Sequence, residues 1–209
     1  DWEKVITADM RTVDELKRTV TDIVDAICST LSAVKCMYPQ IQVYLHREVS
    51  FVTAQELEDL YPALSGKARE NAYVKEHPTT FIIGIGGKLK SGFPHDGRAP
   101  DYDDWTLNGD LMFWDETLEQ AVELSSMGIR VDEAAMRRQC AELNCENRLA
   151  LPFHQGVLNG TLPLSMGGGI GQSRLCMLLL GKAHIGEVQV SLWPREMREE
   201  CAKKNIVLL

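Results

Sequence analysis

Apolar residues recur every three or four positions through residues 12–34, at Val13, Leu16, Val20, Ile23, Val24, Ile27, Leu31 and Val34, which describes one face of an amphipathic helix. Thr12-Val13-Asp14-Glu15 opens that helix with a capping-box pattern. The period then changes. Residues 42–46 and 48–53 have the β-branched, alternating character of two short strands, and Thr53-Ala54-Gln55-Glu56 caps a further helix towards Leu60. Residues 65–76 continue as a helix. Residues 79–85 form a near-continuous β-branched run ending in Gly84, Gly86 and Gly87, predicting a buried strand followed by a tight turn. Strands follow at 111–114 and across 118–131, although Thr117-Leu118-Glu119-Gln120 also reads as a helix start. Helices are expected at 132–142 and 147–158, then a glycine run at 167–171, a helix at 172–180 and a last strand at 187–192. No repeat, low-complexity segment or linker interrupts this pattern, so residues 1–209 read as a single domain.

Composition narrows the class. The 209 residues are 44% hydrophobic and 25% charged, which suits an ordinary globular domain and excludes a disordered chain, a collagen or a small disulfide scaffold. The formal net charge of -8 argues against broad nucleic-acid binding, which needs a basic face to displace condensed counterions. Any polyanionic ligand must instead be met by locally placed arginines. No apolar run approaches the ~18 residues that cross a bilayer, and residues 1–11 are polar rather than a signal sequence, so a cytoplasmic location is expected. Six cysteines without a CxxC pair read as reduced structural thiols. The chain opens on Asp1 and not Met, so a segment upstream is expected.

Three stretches could carry chemistry. Met166 to Leu175 reads MGGGIGQSRL, in which Gly167, Gly168, Gly169 and Gly171 let backbone approach a ligand before a helix that carries Arg174. Read as a strand-to-helix turn, it would point free amides at an anion, with a guanidinium one turn further on. It is neither a Walker loop nor GxGxxG. The second stretch, Glu123 to Arg130, places a carboxylate and a guanidinium on one strand with small residues between them. The third is Asp110 beside Asn108-Gly109. Carboxylates on neighbouring strands can hold a divalent ion against phosphate oxygens. The loop of residues 91–110 is a further candidate for its many carboxylates, and His95 within it is the one histidine considered for a role.

The blocks HDGRAPDYDDW, LNGD, ELSSMGIRVD, GGGIGQSRL and HIGEVQVSLWP, in this order, resemble ammonia-dependent asparagine synthetase, the aspartate–ammonia ligase family. The glycine block is also similar to the third signature motif of class II aminoacyl-tRNA synthetases, and the Glu-to-Arg strand to their aspartyl branch. The resemblance implies an α+β fold, an antiparallel sheet flanked by helices, usually as a homodimer. It implies a reaction of L-aspartate, ATP and ammonia that gives asparagine, AMP and pyrophosphate through a β-aspartyl adenylate.

By position in those motifs, Arg174, Gly168 and Gly169 would contact ATP, and Asp110 with Glu123 would serve ATP and its Mg2+. Arg130 would pair with the substrate carboxylate or bridge towards the nucleotide, Ser125 and Ser126 would line the pocket, and Asp1 and Asp103 would contact the amino-acid end. Arg130, Asp103 and Arg174 are thereby the candidate catalytic residues. Partners would be small molecules, with neither nucleic acid nor membrane. The sequence departs from the family pattern in lacking the segment before Asp1, which carries the arginine facing the α-phosphate. Only Thr106 stands between Trp105 and Leu107, where a longer loop is expected. The alternatives are a catalytic core of an aspartyl- or asparaginyl-tRNA synthetase, and a non-catalytic paralogue that binds adenylate or amino acid.

Overall fold

The computed structural model describes residues 1–209. Helix α1 (Val13–Met37) buries Leu16, Val20, Val24, Ile27, Cys28 and Leu31, the face that its periodicity predicts. Thr12 caps it by accepting from the Glu15 amide at 3.1 Å, but only half of the expected capping box forms. The Glu15 carboxylate turns instead to Lys4 and Arg18. The strands are β1 (Trp2–Val5), β2 (Ser50–Thr53), β3 (Thr79–Ile83), β4 (Asp103–Asp115), β5 (Gln120–Arg130) and β6 (Ser165–Ile170). They make one sheet in the order β1-β6-β5-β4-β3-β2. All neighbours pair antiparallel except β2 with β3, which run parallel.

Helices α2 (Ala54–Leu60) and α3 (Gly66–Glu76) follow β2, capped by Thr53 and Ser65. Thr53 and Glu56 complete a full capping box. After β5 come α4 (Glu133–Glu142), α5 (Pro152–Leu158), α6 (Gln172–Leu180) after β6, and α7 (Arg195–Lys203). No helix is long and apolar enough to cross a membrane.

The two faces of the sheet are used differently. Phe81, Ile83, Leu111, Phe113, Leu124, Met127, Ile129 and Met166 pack with α1 in the main core. On the opposite face, Ile82 and Met112 join Val52, Leu57 and Val74 of the α2/α3 side in a smaller core. That smaller core runs from β2 and β3 to Met112 and Trp114 of β4 and Ala121 at the start of β5, and the rest of this face carries polar residues and glycine.

Several expectations need correction. Residues 42–46 are irregular: β2 is the sheet edge and leaves them no strand to pair with, and they are tied to α1 through Lys35 Nζ donating to the Val43 carbonyl at 3.0 Å. The possible helix start at Thr117 is a turn, because the Asp115 carboxylate accepts from the Thr117 and Leu118 amides at 2.8 and 3.0 Å and returns β4 into β5. The single helix expected at 147–158 is broken before Pro152 into a 3-10 segment, Glu146–Ala150, and α5, since proline cannot donate to the preceding turn. The strand expected at 187–192 is absent. Glu187 accepts from the Ala183 and His184 amides, closing a 3-10 turn at Ile185–Glu187, and α7 follows unforeseen. The loop of residues 91–110 is shorter than expected, because β4 begins at Asp103.

The glycine run is the largest change. Gly167, Gly168 and Gly169 lie inside β6, the first two between ladders to β5 and β1 and Gly169 paired with Ser126 of β5, rather than in a turn with free amides. None has a positive φ. What they supply is the absence of a Cβ. At Gly168, which pairs with Met127 on the α1 face, a Cβ would stand 2.5 Å from Met127 Cβ and 2.9 Å from the Ser126 carbonyl. At Gly169 it would meet only the Asp1 carboxylate, at 2.6 Å.

Gly168→Ala is therefore expected to lower unfolding free energy by about 1–3 kcal/mol through overpacking, clearly more than Gly169→Ala. Denaturant melts of the two variants check this, and equal stability would reject the packing role.

Candidate active site

Successive side chains of a strand point to opposite faces. On β5 this sends Ser126, Gly128 and Arg130 to the polar face, while Met127 and Ile129 enter the core. Keeping Glu123 on that polar face requires a shift in phase. Leu111 pairs with Ser125 and Met112 with Glu123, so Leu124 is an extra residue that drops into the core while Glu123 stays beside Met112 and Asp110. One row across the sheet reads Asp1, Gly169, Ser126, Asp110, and the next reads Glu3, Gly167, Gly128, Asn108. Glycine and serine floor the middle of the face, with charged clusters at both ends.

At the first end, Arg98 from the loop before β4 donates through Nη2 to Asp110 Oδ1 at 2.5 Å. Arg174 of α6 donates through Nη1 to the Glu123 carbonyl at 2.9 Å and lies 3.7 Å from its carboxylate. Burial raises the pKa of Asp110, opposed by Arg98 and a hydrogen bond from Ser126. Glu123 is raised by burial and then by the like charge of Asp110. Behind them Glu70 of α3 pairs with His95 Nε2 at 3.2 Å and Lys67 Nζ at 3.0 Å. These two partners outweigh the burial of Glu70 and hold its carboxyl below the usual range. His95 is thus an inward partner of Glu70, one remove from the open face.

At the second end, Arg130 is held by Asp103 through Nη1 at 2.5 Å and by Glu3 through Nη2 at 2.7 Å. Its guanidinium carbon lies 4.0 Å from the Tyr102 ring centroid. Burial raises the pKa of Asp103 even against Arg130, because its side chain is only 3% exposed. Asp104 is taken up separately by Arg11 and Arg138. Gln139 of α4 anchors this stretch: its Nε2 donates to the Pro100 and Asp103 carbonyls at 2.9 and 3.0 Å, and its Oε1 accepts from the Trp105 amide at 2.9 Å.

The sequence-predicted residues therefore fall into three groups. Asp110, Glu123 and Arg174 meet at one end, Arg130 with Asp103 at the other, and Asp1, Ser126 and Gly169 between them. Two positions do not reach this face. Ser125 is buried on the α1 side opposite Leu111, its Oγ without a hydrogen-bond partner, and cannot line the same pocket as Ser126. Gly168 likewise faces Met127. Sequence reasoning missed Arg98, Glu70 and Glu3. Arg98 is the only cation among the carboxylates of its loop, a signal that was available. Glu3 sits on a four-residue strand too short to announce itself.

Asp110 and Glu123 offer hard oxygen donors of the kind Mg2+ takes with phosphate oxygens. A cation between them would relieve the repulsion that raises Glu123, so the donor set fits. No group of three or more His, Cys, Asp or Glu side chains is placed to hold a metal by protein ligands alone.

Known proteins share both the sequence pattern and the fold. The family model described as aspartate-ammonia ligase matches residues 1–205. The aspartate–ammonia ligase of Lactobacillus acidophilus is 57% identical over 210 residues, and that of Levilactobacillus brevis 56% over 209, each covering 100% of this chain and 62% of the relative. The Bacteroides fragilis ligase is 54% identical over 218 residues, covering 100% of this chain and 63% of its own. The chain thus spans less than two thirds of these relatives.

Among solved structures, asparaginyl-tRNA synthetase from Pyrococcus horikoshii complexed with asparaginyl-adenylate superposes with TM-score 0.60 at 15% identity, covering 92% of this chain and 47% of that one. The Entamoeba histolytica asparaginyl-tRNA synthetase in complex with asparaginyl-adenylate gives 0.58 at 17%, covering 90% and 44%. These likenesses establish the class II synthetase fold. With the family match over nearly its whole length, the chain belongs to the aspartate-ammonia ligase family.

Proposed function

We propose that this chain supplies the main part of the catalytic domain of an enzyme that joins L-aspartate and ammonia at the expense of ATP. The β-carboxylate of aspartate attacks the α-phosphorus and pyrophosphate leaves. Ammonia then attacks the acyl carbon of the β-aspartyl adenylate, forming the amide and releasing AMP. The observation that carries this reading is the placement of Asp110, Glu123 and Arg174 at one end of a sheet face and Arg130 at the other, with Gly169 and Ser126 between. With Leu124 bulged out, about six strand steps separate Glu123 from Arg130, roughly 20 Å at ~3.3 Å per residue. That is a trough for an extended ligand with charge at both ends.

Adenylation needs in-line positioning and charge neutralisation more than a side-chain nucleophile. Arg174 is exposed enough to meet the triphosphate and the base. Asp110 and Glu123 would hold Mg2+, which neutralises phosphate charge when bound. Arg130 would take a carboxylate of aspartate, with Asp1 beside Gly169 on the same row to receive its ammonium. Asp103 would hold Arg130 from below. Ammonia as the nitrogen source calls for no glutamine-splitting thiol. A homodimer in the cytoplasm, with no nucleic-acid or membrane partner, completes the proposal on the strength of the family resemblance.

The decisive experiment uses the full-length protein. Aspartate-dependent pyrophosphate release, with hydroxylamine capturing aspartyl hydroxamate, is expected, and ATP turnover that ignores aspartate would overturn the reading. Arg174→Ala is expected to raise the KM for ATP at least tenfold, since a charge-assisted contact contributes about 1.5–3 kcal/mol; unchanged ATP kinetics would remove Arg174 from the nucleotide site. Asp110 and Glu123 both take up protons at higher pH than ordinary carboxylates, and metal binding needs them ionised. Apparent Mg2+ affinity should therefore weaken as pH falls while still above the usual carboxylate range of about 4. Glu123→Gln should weaken Mg2+ at neutral pH and flatten that dependence, as read from Mg2+ titrations of turnover.

A further inference from the structure

The geometry points to Glu3 as the residue that positions Arg130 and makes its site select an amino acid over a plain dicarboxylate, an inference that rests on Arg130 receiving an aspartate carboxylate as proposed above. Arg130 Nε donates to Glu3 Oε1 and Oε2 at 3.1 and 3.2 Å, and Nη2 donates to Oε2 at 2.7 Å. Glu3 is itself fixed by Ser165, whose hydroxyl donates to Oε1 at 2.6 Å. This is a side-on, two-point grip that sets the plane of the guanidinium as well as its position.

The sheet is built to seat this pair. Gly167 pairs with Glu3 on β1 and with Gly128 on β5, and a Cβ there would collide with Glu3 Oε2 and stand 2.5 Å from both Arg130 Nη2 and the Trp2 carbonyl of the neighbouring strand. The first glycine of the GGGIG run therefore clears space for an ion pair between two strands.

Counting donors shows what remains. A guanidinium has five N–H groups. Nε and one hydrogen of Nη2 go to Glu3, and one hydrogen of Nη1 goes to Asp103. One N–H is left on each terminal nitrogen, the number a carboxylate takes in a two-point contact. The Tyr102 ring covers one flat side of the group. Charge adds the selectivity: with two carboxylates around one guanidinium, the ionised cluster carries a net charge of about -1. A carboxylate arriving alone meets that charge, whereas one that brings an ammonium in the same molecule offsets it. Glu3 thereby orients Arg130 and raises the penalty on ligands that lack the amine.

The test uses full-length enzyme, with L-aspartate as substrate and succinate, which lacks the amine, as competitive inhibitor. Glu3→Gln keeps the size and one accepting oxygen but removes the charge. Its KM for L-aspartate is expected to rise about tenfold, with kcat and the KM for ATP within about twofold of wild type. Succinate should bind more tightly to the variant than to wild type, so the discrimination between the two ligands narrows. Glu3→Asp, which restores the charge, should recover part of it. Gly167→Ala, which fills the seat of the pair, should raise the aspartate KM independently and serves where Glu3→Gln folds poorly.

A merely structural ion pair would lower the melting temperature and leave the succinate-to-aspartate ratio unchanged. That unchanged ratio in an active enzyme, together with a wild-type aspartate KM in Glu3→Gln and Gly167→Ala, overturns this inference alone. A wild type that shows no aspartate-dependent pyrophosphate release overturns the proposed function and the role of Glu3 with it.

Discussion

The arrangement depends on the pairing of β4 with β5 and on the extra residue, Leu124, within it. A regular strand keeps one phase, so a glutamate at 123 and an arginine at 130 would face opposite sides of the sheet. The bulge resets the phase once. Leu124 enters the core with Leu111 and Phe113, while Glu123 comes to the face that already holds Ser126, Gly128 and Arg130. Bulges of this kind re-aim side chains beside functional sites. Here the apolar residues anchoring the strand and the charged residues available to a ligand alternate on a single strand, so packing and chemistry share one constraint.

The second constraint is electrostatic. Asp103 and Asp110 are nearly buried, and burial alone would favour their neutral forms. Each is matched by an arginine, Arg130 and Arg98, so that neither charge is left unpaired in a poorly solvated place. Glu123 has the weakest compensation, since Arg174 is 3.7 Å away and Asp110 repels it. An end where Glu123 is only loosely compensated suits a cation that arrives with a polyphosphate, and the opposite end, with Arg130 held between two carboxylates, suits a zwitterion. The two ends differ in kind because the charge is distributed differently around similar groups.

The glycines carry a related lesson. Their density suggests backbone flexibility and free amides at a phosphate, yet all three of Gly167 to Gly169 are strand residues without positive φ, and Gly167 and Gly168 stand between two ladders. Their value is steric, and it differs by face. Gly168 makes room for Met127 in the core, Gly167 for the Glu3–Arg130 pair, and Gly169 for the Asp1 carboxylate. The same residue type at adjacent positions serves packing once and the site twice, because alternate residues of a strand face opposite ways.

Periodicity and local chemistry sufficed for α1, α2, α3, β3 and α4, whose apolar spacing and caps are read within a few residues of one another. The ordered motifs also sufficed for the family, and for Asp110, Glu123, Arg130 and Arg174 as its candidate charges. Tertiary structure alone decided the rest. Strand β1 exists because β6 offers it a ladder, and residues 42–46 stay irregular because no partner strand lies beside them. Which of Ser125 and Ser126 faces the ligand side depends on a pairing register set by β4 and β6, strands distant in sequence. Arg98, Glu70 and Glu3 enter the site from a loop, a helix and an edge strand, and their contacts arise only when the sheet brings those segments together. A sequence pattern reports what a segment prefers by itself, whereas register and side-chain partnership belong to pairs of segments.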